Sequence, residues 1–191
     1  MSKTYKSRDE ILSAISSNRD IMLSDDGWID LSSIWMHIES LGKSRDIQKK
    51  TYQSSKNWSL YSTHTLGLIG EVCFSIHAGI SPCLELLPEG DGSVDFFING
   101  KSIDIKTTRY WKDPDLKQYP NPKKWADIYI LCAVDIEARR AKIFGWASKE
   151  DIMKANKVNY GYGEQFSISH RELNKEISSI INNAISGLNE Q

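Results

Sequence analysis

Apolar residues recur along this chain with two different periods, and the change of period divides it. Up to about Leu60 the spacing is helical. Ile11, Leu12 and Ile15 follow Ser7-Arg-Asp-Glu10, a capping-box signal for a helix start. Leu31, Ile34, Ile38 and Leu41 predict a second helix, with Gly42 as its stop. Leu68, Val72 and Ile76 predict a helix over residues 63–79, broken by Ser81-Pro82. After Pro88 the alternation becomes that of strands, over residues 94–98 and 101–107. Residues 127–135 carry Ile-Tyr-Ile-Leu-Cys-Ala-Val, an almost unbroken apolar run that predicts a central buried strand. A further strand is expected over 141–147, a short helix capped by Ser148-Lys-Glu-Asp151, and a short edge strand over 166–168. Ser169-His-Arg-Glu172 is a second capping box. It precedes Leu173, Ile177, Ile180, Ile181, Ala184, Ile185 and Leu188, one face of a C-terminal helix that covers the sheet or forms a homodimer. The order predicts an α/β or α+β fold, a central mixed sheet flanked by helices. A helical N-terminal segment is expected over 1–60 and the core over 61–191.

Composition narrows the class. Apolar content of 40% and charged content of 26% suit a globular domain. No apolar run approaches the ~20 residues that span a bilayer. The N-terminus lacks the apolar stretch of a secretion signal, so a cytoplasmic protein with no membrane partner is expected. Cys73, Cys83 and Cys132 lie far apart among apolar residues, and the histidines show no ligand spacing near them. Buried thiols are expected, with neither zinc nor a disulfide framework. The net charge of −1 argues against a protein that coats nucleic acid non-specifically, but leaves room for a local basic patch. Residues 43–56 carry five basic side chains and one acid, which suits a solvated helix face or a phosphate-contacting surface.

The candidate chemistry lies in the first hairpin. Asn99-Gly100 between two alternating runs is a strong signal for a two-residue turn. Such a turn sets Ile98 opposite Lys101, Phe97 opposite Ser102, Phe96 opposite Ile103 and Asp95 opposite Asp104. Val94, Phe96, Ile98, Ile103 and Ile105 then share a core face, and Asp95, Asp104 and Lys106 share the other. Phe97 on that second face suggests partial cover. Two carboxylates placed opposite are destabilising unless a cation lies between them. A hard divalent ion with oxygen ligands meets that need. Two acids, a lysine and a metal suit phosphodiester hydrolysis: the metal neutralises phosphate charge and acidifies a bound water, and the lysine serves that water. The plain alternative is an amphipathic hairpin with its polar face in water. The preceding helix adds Gly67-Leu-Ile-Gly70-Glu71. Glycines there cost about 1 kcal/mol each relative to alanine and suggest close backbone approach, which would bring Glu71 to the metal.

Glu71 after Gly-x-x-Gly, then Asp95, then Asp104-Ile105-Lys106 resembles the PD-(D/E)XK nuclease superfamily over about residues 63–147. The resemblance implies that Asp95, Asp104 and the Ile105 carbonyl bind Mg²⁺, with Mn²⁺ able to substitute. It implies that Glu71 assists the metal and Lys106 the water. It also implies a mixed sheet with the active hairpin in its middle. Val94 stands where the family name has proline. Pro114-Asp115-Leu116-Lys117 matches that name more literally, but its surroundings read as loop with no facing acid.

Residues 107–125 interleave basic and aromatic side chains next to the active strand. Thr107, Thr108, Arg109, Lys123 and Lys124 are the expected substrate contacts, with aromatic neighbours suited to base stacking. The Tyr160-Gly-Tyr-Gly loop and His170-Arg171 are weaker candidates. The expected activity is Mg²⁺-dependent hydrolysis of DNA by an endonuclease. An exonuclease, a junction-resolving enzyme or a non-catalytic nucleic-acid-binding module fits the same residues. A glycosidase carboxylate pair is the remaining alternative, and the lysine does not serve that chemistry.

Overall fold

The computed structural model describes residues 3–48, 62–84, 94–120, 122, 124–159, 161 and 163–181. Helix α1 (Lys3–Met22) leads through a turn to strand β1 (Trp28–Asp30) and helix α2 (Trp35–Gln48). Helix α3 (Thr63–Ala78) precedes the hairpin of β2 (Phe96–Ile98) and β3 (Lys101–Thr108). Then come β4 (Asp115–Gln118), β5 (Ile128–Asp135), β6 (Arg140–Ser148), α4 (Lys149–Lys154), β7 (Lys157–Asn159), β8 (Glu164–Ser169) and α5 (Ser178–Ile181). The fold is mixed α/β, as the patterning predicts. A five-stranded sheet runs in the order β1-β6-β5-β3-β2, with β3 and β5 parallel and the other pairs antiparallel. A second, antiparallel sheet has the order β4-β8-β7.

Strand β5 is buried from Ile128 to Val134, the expected central strand. Its two faces feed two apolar clusters. On one face Ile128, Ile130 and Cys132 pack with Ile103 and Ile105 against α1, α2 and α3, through Ile11, Trp35, Ile38, Leu68, Ile69 and Phe74. On the other, Tyr129 and Leu131 pack with Leu116, Ile152, Phe166, Ile168 and Leu173. Helices α1 to α3 therefore cover one face, and the small sheet with α4 covers the other. No helix among the described residues is long and apolar enough to cross a membrane.

Several expectations need correction. The region before Leu60 is not all helix: β1 pairs with β6, and Ile29 enters the core. Helix α1 already spans Lys3, and Ser7 is buried one turn inside it instead of capping it. Gly42 does not stop α2. A Cβ there would overlap Thr65 Oγ1 and come within 2.8 Å of Thr65 Cα, so glycine lets α2 and α3 cross closely. Gly79 ends α3 before Ser81-Pro82, with a left-handed φ of 72° and its N–H on the Ser75 carbonyl. Residues 115–118 form β4 where a loop was expected, and β8 is the middle strand of its sheet, not an edge. The capping box at Ser169 opens no helix. Ser169 pairs with Asp115, and Asn174 exchanges backbone hydrogen bonds with Trp146, so this backbone is already committed to sheet pairing. Among the described residues beyond it, Ser178–Ile181 is helical, and Ala184, Ile185 and Leu188 lie outside them. Among the described residues the hairpin is not mid-sheet: β2 is an edge strand. Cys73 and Cys132 are buried, but Cys83 is exposed.

The start of β5 is fastened to β3 by a polar clamp. Ser102 donates from its N–H at 2.8 Å and its hydroxyl at 2.6 Å to Asp127 Oδ2, and Asp127 N–H returns to the Ser102 carbonyl at 3.0 Å. The Ser102 donors hold the Asp127 carboxyl below its usual range. A depressed folded pKa means stabilisation that is present above the unfolded value and lost as pH falls through the folded one. Asp127→Ala is therefore expected to cost about 1 kcal/mol at neutral pH, since the site is solvent-screened. Urea unfolding at pH 7 and at a pH below the carboxylate range should show that difference shrink. An equal loss at both pH values would sink the assignment.

Candidate active site on the β2–β3 hairpin

The turn has the expected form. Asn99 and Gly100 both have positive φ, 55° and 74°, the pair of left-handed residues that a tight hairpin turn requires. Phe96↔Ile103, Phe97↔Ser102 and Ile98↔Lys101 are paired as the turn predicts. The Asn99 side chain donates to the Ile180 carbonyl at 3.0 Å and ties the tip to α5.

The ladder ends one step short of an Asp95–Asp104 pair. Asp95 N–H donates to the Ile103 carbonyl at 2.8 Å, which that register would give to Phe96. The Asp95 carboxylate accepts from Ile105 N–H at 2.6 Å. Asp95 thus lies against the peptide that joins Asp104 to Ile105. On β3 itself, Asp104 Oδ2 meets Lys106 Nζ at 2.7 Å, with side chains 10% and 30% exposed. Asp104 is buried, and Lys106 is partly exposed. Lys106 also lies 5.8 Å above the Tyr129 ring centre. The phenol of Tyr129 accepts from Ala126 N–H at 3.0 Å. Burial pushes that phenol up, Ala126 opposes the shift, and the charges of Asp104 and Asp127 add to it. Phe97, expected to mark a covered face, is 69% exposed.

Glu71 belongs to a second assembly, in the helical layer. It is buried, and both carboxylate oxygens are held by Arg45 of α2, at 2.9 and 3.2 Å. Arg45 also donates to the Cys83 carbonyl at 3.1 Å. Strand alternation puts Ile105 and Thr107 under α3, and Asp104 and Lys106 on the opposite face. Among the described residues, no three His, Cys, Asp or Glu side chains gather as a metal-holding group. The structure therefore pairs Asp104 with Lys106, sets the Asp95 carboxylate on the adjoining Ile105 N–H and leaves Glu71 with Arg45. Of the two helix glycines, only Gly70 makes a close approach. A Cβ there would overlap Thr107 Oγ1 and lie 3.0 Å from Ile105 Cγ2, whereas a Cβ at Gly67 meets nothing within 4 Å.

The expected substrate contacts divide similarly. Thr107 Oγ1 is buried against Gly70 without a hydrogen-bond partner among the described residues, away from the Lys106 face. Thr108 Oγ1 accepts from Tyr110 N–H at 3.1 Å. Arg109 and Lys124 are exposed, and Lys124 Nζ lies 5.8 Å from the Phe97 ring centre. Lys123 lies outside the described residues, as do Tyr160, Tyr162 and residues 49–61, which include most of the basic stretch. Tyr110 and Tyr119 are exposed, whereas Trp125 packs on Tyr129 and Phe166 as a core edge. Arg171 lies 3.2 Å from Asp113. The literal motif at Asp115-Leu116-Lys117 is on a strand after all, but Ser169, Ile168 and Ser167 face it, none of them acidic. Arg45 and Asp127 went unnoticed in the sequence. Arg45 was one of several basic residues in a polar run, and Asp127 opened an apolar one.

Two stability tests follow from this geometry. Gly67→Ala should stabilise the protein by about 0.5–1 kcal/mol through helix propensity. Gly70→Ala should destabilise it by about 1–3 kcal/mol through overpacking on β3. Similar effects at both positions in thermal melts would refute the close contact. Breaking the Arg45–Glu71 pair leaves a buried charge, so Arg45→Met should cost about 3 kcal/mol, and the Arg45→Met/Glu71→Leu double variant should recover part of that loss. Additive single losses in a double-mutant cycle would contradict the coupling.

Compared with protein-family models, curated proteins and solved structures, this chain matches none.

Proposed function

We propose that this protein is a Mg²⁺-dependent nuclease that hydrolyses DNA phosphodiester bonds, an endonuclease by preference over an exonuclease or junction-resolving enzyme. The observation that carries the reading is the seating of the Asp95 carboxylate on the Ile105 N–H, beside the Asp104–Lys106 ion pair. One carboxylate meets the ammonium and the other holds the backbone N–H next to it, with Asp104 buried and Lys106 partly exposed. That donor set fits a hard divalent cation: Asp95 and Asp104 would hold it, with the Ile105 carbonyl alongside. Glu71 would join only by leaving Arg45. Bound Mg²⁺ would supply charge neutralisation at a phosphate and a more acidic water. Lys106 would then orient that water or stabilise the developing negative charge, and Asp104 holds its ammonium in place beforehand. Exposed Arg109 and Lys124 suit contact with the phosphates on either side.

The bidentate capture of Glu71 by Arg45 favours a second reading, a nucleic-acid-binding module without turnover. One assay separates them. Linear, circular, single-stranded and branched DNA are incubated with the full chain, with EDTA and then with excess Mg²⁺ or Mn²⁺. Cleavage should vanish with EDTA and return with either metal. Lys106→Ala should lower its rate on the order of 100-fold, and Asp104→Ala should abolish it. Variants that cut as well as the wild type would overturn the site. Binding without any metal-dependent cleavage would favour the module.

A further inference from the structure

We infer that Phe97 is a stacking platform for an unpaired DNA base, so that the hairpin offers its acids to single-stranded rather than fully paired DNA. The inference rests on the nuclease reading above and names its substrate class. Phe97 lies on β2 directly opposite Ser102, hence on the same face as Asp104 and Lys106. Asp104 is its diagonal neighbour, at about 7–8 Å between backbone positions. A nucleotide whose base stacks on Phe97 would have its phosphate on this same face, on the side of the Asp104–Lys106 pair.

Phe97 is 69% exposed, so the face of its ring is open to a stacking partner. Three features make this ring suited to nucleic acid. Lys124 Nζ lies 5.8 Å from its centre, so the ring and an exposed cation form one stacking-and-phosphate unit. The ring is on a rigid mount: the tight turn, the Asn99 bond to Ile180 and the Ser102–Asp127 clamp all hold this hairpin. Asp104, paired with Lys106, lies further along the same face. In a duplex the base faces are already stacked on their neighbours, so Phe97 has no partner there.

The test is binding of the full chain to one labelled oligonucleotide, single-stranded or annealed to its complement, with EDTA present so that no strand is cut. Wild type should prefer the single strand. Phe97→Ala should weaken single-strand affinity about tenfold and leave duplex affinity unchanged. Phe97→Trp should retain single-strand affinity, which guards against a folding artefact in the alanine variant. Unchanged single-strand affinity in Phe97→Ala, or equal weakening on both DNAs, overturns the stacking role while leaving the nuclease reading intact. No binding of either DNA by the wild type also overturns the stacking role, while the nuclease reading stands or falls on metal-dependent cleavage.

Discussion

Where α3 crosses β3, Gly70 leaves only backbone against Ile105 and Thr107, and a larger residue would collide there. That contact sets which face of β3 is core. Period-two alternation then sends Ile103 and Ile105 under the helices, and Asp104 and Lys106 to the other side. A second crossing depends on another glycine, Gly42, which brings α2 close to α3 at Thr65 and so puts Arg45 within reach of Glu71. Arg19 of α1 completes the layer by donating to the Ile76 and His77 carbonyls, which α3 leaves unsatisfied at its C-terminus. The helical layer is thus a set of close crossings, each closed by one polar side chain.

The acids near the hairpin are each matched by a nearby donor. Asp104 has Lys106, Asp95 has the Ile105 N–H, Glu71 has Arg45 and Asp127 has Ser102. This pairing explains how several carboxylates sit close to one strand in a chain of net charge −1 without mutual repulsion. A divalent cation at Asp95 and Asp104 would compete with the Lys106 ammonium for one carboxylate. Any cation bound there would therefore be linked to the position of the lysine. The helix glutamate is less readily recruited, because a guanidinium holds both its oxygens in bidentate geometry.

Local chemistry was readable wherever it was sufficient. The Asn99-Gly100 turn sets three cross-strand pairs with no help from distant residues, and the Ser148–Asp151 capping box starts α4 as its spacing implies. The Ser169 capping box carried an equally good local signal and failed. Its backbone groups are taken by β4 and by Trp146, partners that no window of sequence contains. Strand β1 was hidden because three residues are too few to display a period, and only pairing with β6 makes them a strand. Asp95 departed from its expected place because the Asp95 N–H and the Phe96 position compete for the same Ile103 carbonyl at the end of the ladder.

By itself the sequence determined the periodicities, the turn, the burial of β5 and the presence of Asp95, Asp104 and Lys106 on one hairpin. These are properties of neighbouring residues, whose geometry the covalent chain imposes. Only the tertiary structure decided that the hairpin lies at the edge of the sheet and that Phe97 is open to solvent. It alone gave Glu71 to Arg45. Those outcomes depend on which elements meet, and the meeting is governed by close packing at Gly42 and Gly70 and by competition for backbone hydrogen bonds between segments far apart in the chain.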